Sequence, residues 1–372
     1  MNVLIVTNSQ MGYGANNSMM DMITALREWD VDITVLLQKY GEIVQELKSN
    51  NIRFYILPYE YSASSVAAYS VRLKKMIHNM QLLRDAKRIV SENKIEIIHT
   101  NASNVDFGAW LSVLCRLPHI WHIRELMKED YNLIYDFPKI QNMLMCNADY
   151  LISISNYVKE KRKCGKNSIV IYNGVNIEKY AIHKEQLLTS KTMHVLYCGV
   201  ISKEKGIMDA VIAVKQIVRW GKYNIRLDIV GKRNNYSRRI AKYVQDNGLG
   251  SYIFFHGYRK DLRSFRERAD IALMCSRSEA LGRVTIESML GECLVIGADR
   301  GGTAELIKDG KTGYLYAAGD AAQLARKILF VYEDLPGSVK IIRRAKKFAQ
   351  EKFNSKDYAR KIWNIYNKCL CK

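Results

Sequence analysis

Short apolar runs alternate with longer segments of helical period along this chain, and the alternation starts twice. In the first series Val3–Thr7, Ile33–Leu37, Phe54–Leu57, Ile95–His99, His119–His122, Tyr150–Ser153 and Ile169–Tyr172 read as strands. Segments 17–28, 71–92 and 104–116 read as helices between them. The second series has strands at His194–Cys198, Arg226–Val230, Ile253–Phe255, Ile271–Met274 and Leu294–Ile296, with helices at 206–220, 236–247, 283–291 and 320–332. Strands that are apolar throughout are buried on both faces, so each series predicts a parallel sheet covered by helices on both sides. The polar stretch His183 to Thr192 reads as the linker. The expected architecture is α/β, with two doubly wound parallel-sheet domains in tandem facing a cleft. A chain of 372 residues fits that count, since a domain takes about 100–200. Ligands of such sheets sit outside the carboxyl ends of the strands, which directs attention to the strand-to-helix loops.

Several function classes drop out early. No apolar run approaches the roughly 18 residues that a membrane helix needs. Met1-Asn2 leads straight into Val3-Leu4-Ile5-Val6, which does not read as a signal peptide. The eight cysteines, 115, 146, 164, 198, 275, 293, 369 and 371, form no C-x-x-C, and no histidines stand at zinc spacing, so no metal site is expected. Together these features predict a cytoplasmic protein. The net charge of +20 is uneven: residues 1–180 carry 21 Lys+Arg against 18 Asp+Glu, and 181–372 carry 36 against 19. That imbalance points to an acidic partner such as a nucleotide, a lipid diphosphate or an anionic membrane face. Nucleic acid is disfavoured, because no helix-turn-helix, zinc finger or aromatic RNA-binding pattern accompanies the basic clusters. The segment Val71 to Val90 is basic and amphipathic, which would suit peripheral attachment at the inner face of the cell membrane.

The richest loop is Ser276-Arg277-Ser278-Glu279-Ala280-Leu281-Gly282-Arg283, between a strand and a helix that carries Glu287. Gly282 at the helix start would let backbone amides approach an anion, which the helix dipole favours. The spacing of Glu279 and Glu287 places one carboxylate in the loop and the other about one turn into the helix. Such a pair flanking a phosphate pocket suits a nucleotide sugar. A second loop, Gly199 to Gly206, brings Lys205 near a helix N-terminus, where it would reach a diphosphate. Gly231 opens a similar turn after Val230. In the first half, Gly12 and Gly14 follow the first strand, but Asn17 replaces the last Gly of a G-x-G-x-x-G, which disfavours a nicotinamide site. His122 ends another strand and would donate to a sugar hydroxyl or to charge developing on oxygen.

Glu279 to Glu287, followed by Gly301-Gly302-Thr303-Ala304-Glu305 and on to Gly313, resembles the carboxyl-terminal signature of glycosyltransferase family 4. The Gly199–Gly206 loop and Tyr172-Asn173-Gly174-Val175-Asn176 are similar to the same family. The resemblance implies a GT-B fold of two Rossmann-like domains, with domains at 1–182 and 183–355 and a last segment, 356–372, crossing back to the first. It implies a retaining transferase with a nucleotide-sugar donor, UDP- or GDP-linked, without metal. By motif position, Glu279 would contact the transferred sugar and Glu287 the ribose. The amides of Leu281 and Gly282, with Lys205, would hold the diphosphate, and His122 would sit at the reacting sugar. The Gly12–Gly14 loop would border donor and acceptor, and the base would lie near Tyr258. The family places an Arg directly after the Gly matched to Gly199; here it is Val200, and Arg124, Lys203 or Arg233 would have to supply the second cation.

The acceptor expected is a glycan or lipid-linked glycan in surface-polysaccharide assembly. Two other functions share these features: a nucleotide-sugar epimerase of the same fold, and a non-catalytic protein that binds nucleotides or polyanions.

Overall fold

The computed structural model describes residues 1–9, 14–65, 68–162, 167–189, 191–221 and 223–371. The chain divides into two compact units, Met1–Gly174 with Ser355–Lys372, and Val175–Asn354.

The first unit is built on seven parallel strands in the order Arg53–Ile56, Asp32–Leu37, Asn2–Thr7, Ile97–Thr100, His119–Ile123, Tyr150–Ser153, Ser168–Val170. Successive side chains of a strand point to opposite faces, and here both faces are covered. Val3 and Ile5 pack with Met19, Met22 and Ile23 of the helix Gly14–Leu26 and with Tyr358, Ile362 and Tyr366 of the final helix Ser355–Leu370. Leu4 and Val6 pack on the other side with Leu83, Ala86, Phe107 and Leu111. This two-sided burial is why the strand residues are apolar without alternation.

The second unit holds six parallel strands in the order Ile253–Phe255, Asn224–Val230, Thr192–Cys198, Ile271–Met274, Leu294–Ala298, Tyr314–Tyr316. Val195, Tyr197, Leu227 and Ile229 meet Val211, Val214, Leu324 and Ile328 from the covering helices. Tyr314–Tyr316 escapes sequence reading because it is three residues long and follows the turn between Gly310 and Gly313.

The unit change falls at Gly174, ahead of residue 182, and the polar stretch after it is bound to the second unit. Ile182 donates its amide to the Leu290 carbonyl at 3.1 Å and accepts from Lys346 Nζ at 2.8 Å. The Lys184 amide donates to Glu292 Oε2 at 2.6 Å, and Glu292 is also paired with Lys346. Leu188 is buried in the core. Lys184 is thus bound within the unit, while His183, Glu185, Gln186 and Lys191 are exposed. Where the chain leaves the unit, the Val175 amide donates to the Phe353 carbonyl at 2.8 Å.

Among the described residues no helix is long and apolar enough to cross a membrane. The helix Tyr69–Glu92 buries Asn79, Leu83, Ala86 and Val90 and exposes Lys74, Arg84, Lys87 and Arg88. Its Lys75 is engaged, with Nζ 3.2 Å from Asp136 Oδ2.

Candidate active site

In the second sheet the strand order reverses between Thr192–Cys198 and Ile271–Met274, and this switch point is where such sheets open a crevice for ligands. The two loops that leave these strands carry Lys205 and Glu279. They meet in an ion pair, Lys205 Nζ to Glu279 Oε2 at 2.7 Å, with about a quarter of each side chain exposed. The loops are also locked through backbone. A Cβ on Gly206 would lie 1.9 Å from the Cys275 carbonyl oxygen. The Gly302 amide donates to the Glu279 carbonyl at 2.7 Å, and a Cβ on Gly302 would lie 2.5 Å from Leu281 Cα. The Gly301-Gly302 turn therefore forms the wall behind the loop that bears Glu279.

Gly282 precedes the helix Arg283–Leu290 with φ of +93°, a backbone conformation open to Gly and strained for other residues. A Cβ there would lie 3.3 Å from Glu279 Cγ. Leu281 is buried. Gly231 approaches Gly199 so closely that a Cβ on it would lie 2.1 Å from the Gly199 carbonyl oxygen, and its amide donates to the Gly257 carbonyl at 3.0 Å. The next residue, Tyr258, is exposed. The predicted residues Gly199, Lys205, Gly231, Tyr258, Glu279, Leu281 and Gly282 thus lie on neighbouring loops at the carboxyl ends of one sheet.

Glu287, the residue expected at the ribose, stands on the helix that Gly282 opens. It is buried, Arg266 Nη2 donates to its Oε2, and Arg283 Nε donates to its Oε1 at 2.7 Å. Both arginines are buried and both face the Tyr180 ring, with guanidinium carbons 5.5 and 5.3 Å from its centroid. The spacing of the two glutamates was visible in sequence. The two arginines were not, because Arg266 belongs to a run of basic residues that resembles a solvated face.

Val200 is half exposed, and of the three cations considered in its place, Arg124 is occupied in the first unit. Lys203 and Arg233 are exposed, and the contact between Gly231 and Gly199 seats Arg233 on a loop adjoining position 200.

In the first unit His122 stands in the strand His119–Ile123 and is fully buried. Burial, with the charge of Arg124 and then His99, holds its pKa well below the usual imidazole range, so the ring is neutral. Among the described residues its Nε2 has no hydrogen-bond partner. Gly14 opens the helix Gly14–Leu26 and is exposed; Gly12 lies outside the described residues. Among those residues no three His, Cys, Asp or Glu side chains converge as metal ligands.

Two family models match end to end, glycosyltransferase family 4 over residues 13–179 and glycosyl transferases group 1 over residues 178–348. An uncharacterized glycosyltransferase of Methanocaldococcus jannaschii, MJ1178, is 28% identical over 306 residues, which cover 77% of this chain and 81% of the relative. The capsular polysaccharide biosynthesis glycosyltransferase CapM of Staphylococcus aureus is 25% identical over 258 residues, 64% of this chain and 66% of the relative. The solved structure of Anabaena Alr3699/HepE in complex with UDP superposes with a TM-score of 0.82 at 21% identity, covering 99% of this chain and all of that one.

Proposed function

The chain belongs to the family 4-type glycosyltransferases and has their GT-B fold, and from that premise we propose that it is a retaining enzyme that moves a sugar from a nucleoside-diphosphate donor to a glycan or lipid-linked glycan. The observation that carries this reading is the Lys205–Glu279 pair at the switch point of the second sheet, beside the helix opened by Gly282. Departure of the nucleoside diphosphate leaves negative charge on a phosphate oxygen. A cation and a helix N-terminus aimed at that oxygen stabilise the charge where it develops. In this reading Lys205 turns from Glu279 toward the diphosphate when donor binds, and the freed carboxylate faces the sugar. Arg233 or Lys203 supplies the second cation in place of the Arg absent at Val200.

In a retaining transfer without a covalent intermediate, the acceptor attacks on the leaving-group face and the departing phosphate takes its proton. Glu279 then supports positive charge at the anomeric carbon, and His122 donates a hydrogen bond from Nε2. A UDP-sugar is the first donor to test, since the HepE structures hold UDP and UDP-glucose. Polysaccharide assembly is the setting supported by the name of CapM.

Two measurements on one reaction test the proposal. With an accepted UDP-sugar, the NMR spectrum of the first-formed product is expected to show the anomeric configuration of the donor. Excess chelator is expected to leave the rate within about twofold, because protein groups supply the charge stabilisation. An inverted product would contradict retention. Activity abolished by chelator and restored by a divalent ion would contradict the metal-free reading.

A further inference from the structure

Arg124 follows the strand that carries His122, and its guanidinium is buried and bound on every side. Nε donates to Asn101 Oδ1 at 2.7 Å, Nη1 to Asn173 Oδ1 at 2.6 Å and Nη2 to the Tyr358 hydroxyl at 2.9 Å. The same Nη2 lies 3.4 Å from His122 Nδ1. A guanidinium has donors only. The nitrogen that faces it must therefore present a lone pair, and the proton of the neutral ring must sit on Nε2. That atom is buried and has no partner among the described residues. A buried N–H without a partner marks a place for a ligand or an ordered water.

The arrangement is anchored from the far end of the sequence. Tyr358 lies on the helix Ser355–Leu370, and so does Tyr366, whose hydroxyl is 2.6 Å from His99 Nδ1. The His99 ring stacks on His122 with centroids 5.5 Å apart and planes 14° from parallel. The final helix thus grips both the guanidinium and the ring behind His122.

We propose that Arg124 is a positioning residue, which fixes His122 as its Nε2–H tautomer and is itself held by Tyr358 of the final helix. The inference rests on the reading of His122 as a donor to the reacting sugar. It gives that helix a task beyond packing, since it determines which atom of His122 bears the proton.

The test is a two-bond proton–nitrogen spectrum of the full chain labelled with nitrogen-15 histidine, recorded near neutral pH. The chain has seven histidines, and the resonances lost in His122→Gln assign the ring. In the wild type Nε2 is expected at the shift of a protonated nitrogen and Nδ1 at that of an acceptor. Arg124→Met is expected to give a mixture of both tautomers. Its kcat should fall on the order of tenfold or more, as when a group that orients a site residue is removed, with the donor KM within about threefold. Tyr358→Phe keeps the ring and removes one hydroxyl, so it is expected to move the resonances in the same direction with a smaller fall in kcat. An Nδ1–H tautomer in the wild type would overturn the inference even if Arg124→Met does not fold. A sole Nε2–H tautomer persisting in Arg124→Met would overturn it as well. The tautomer is read without turnover. Native turnover in His122→Ala would therefore fail the catalytic reading of His122 and leave the tautomer assignment standing.

Discussion

Glu279→Gln is expected to lower kcat by roughly 10²–10³-fold, the range for removing one preorganised electrostatic contact to a transition state. Glutamine keeps the shape of the side chain and can still accept from Lys205, which now approaches Glu279 Oε2 at 2.7 Å. What it loses is the negative charge that the proposed mechanism places beside the anomeric carbon. That charge matters most when the donor bond is breaking, so the donor KM should stay within about threefold while kcat falls. Steady-state kinetics with a UDP-sugar measure both. A kcat within about threefold of the wild type would remove Glu279 from the reaction.

The second large effect is on stability. Glu287→Ala is expected to destabilise the second unit by about 3–5 kcal/mol, because it leaves two buried guanidinium groups without their carboxylate. Arg266 and Arg283 are both less than a tenth exposed, and both bind this one side chain. Domains are stable by only about 5–15 kcal/mol, so the loss brings the unit close to unfolding. At about 2–4 °C per kcal/mol for a domain of this size, Tm should fall by roughly 6–20 °C. Thermal unfolding without nucleotide measures this directly. A Tm within about 2 °C of the wild type would mean that the cluster contributes little. Loss of donor binding in this variant is then to be read against its folded fraction, since Glu287 holds Arg266 and Arg283 in place.

The fold was legible because buried parallel strands are written as continuous apolar runs. Val3–Thr7 and Ile271–Met274 alternate their side chains between two covered faces, and no polar residue interrupts them until the loop begins. Tyr314–Tyr316 lacked the length for such a signal. The polar stretch from His183 reads as a linker for a physical reason: Glu292 accepts from the Lys184 amide and pairs with Lys346, while Lys184 Nζ donates to the Ala269 and Glu292 carbonyls, and sequence does not distinguish a bonded charge from a solvated one. The same ambiguity hid Arg266 and Arg283 and made Arg124 a candidate for the diphosphate. The loop residues were legible in another way. Gly199, Gly206, Gly282 and Gly302 stand where the backbone turns sharply or another chain segment comes close, and glycine is the residue that permits it. Partners distant in sequence, such as Tyr358 and Arg124, left no local pattern to read.

In the proposed function the loops of the second unit hold a nucleoside diphosphate with Lys205 as a principal cation. Calorimetric titration of UDP, GDP and ADP into the wild type and Lys205→Ala tests it most directly. A hydrogen bond to a charged group contributes about 1.5–3 kcal/mol, which is roughly a 10–150-fold change in affinity. UDP is expected to bind the wild type, and Lys205→Ala to weaken binding by at least tenfold. Equal affinity in the two proteins, or no binding of any of the three nucleotides to the wild type, would contradict it.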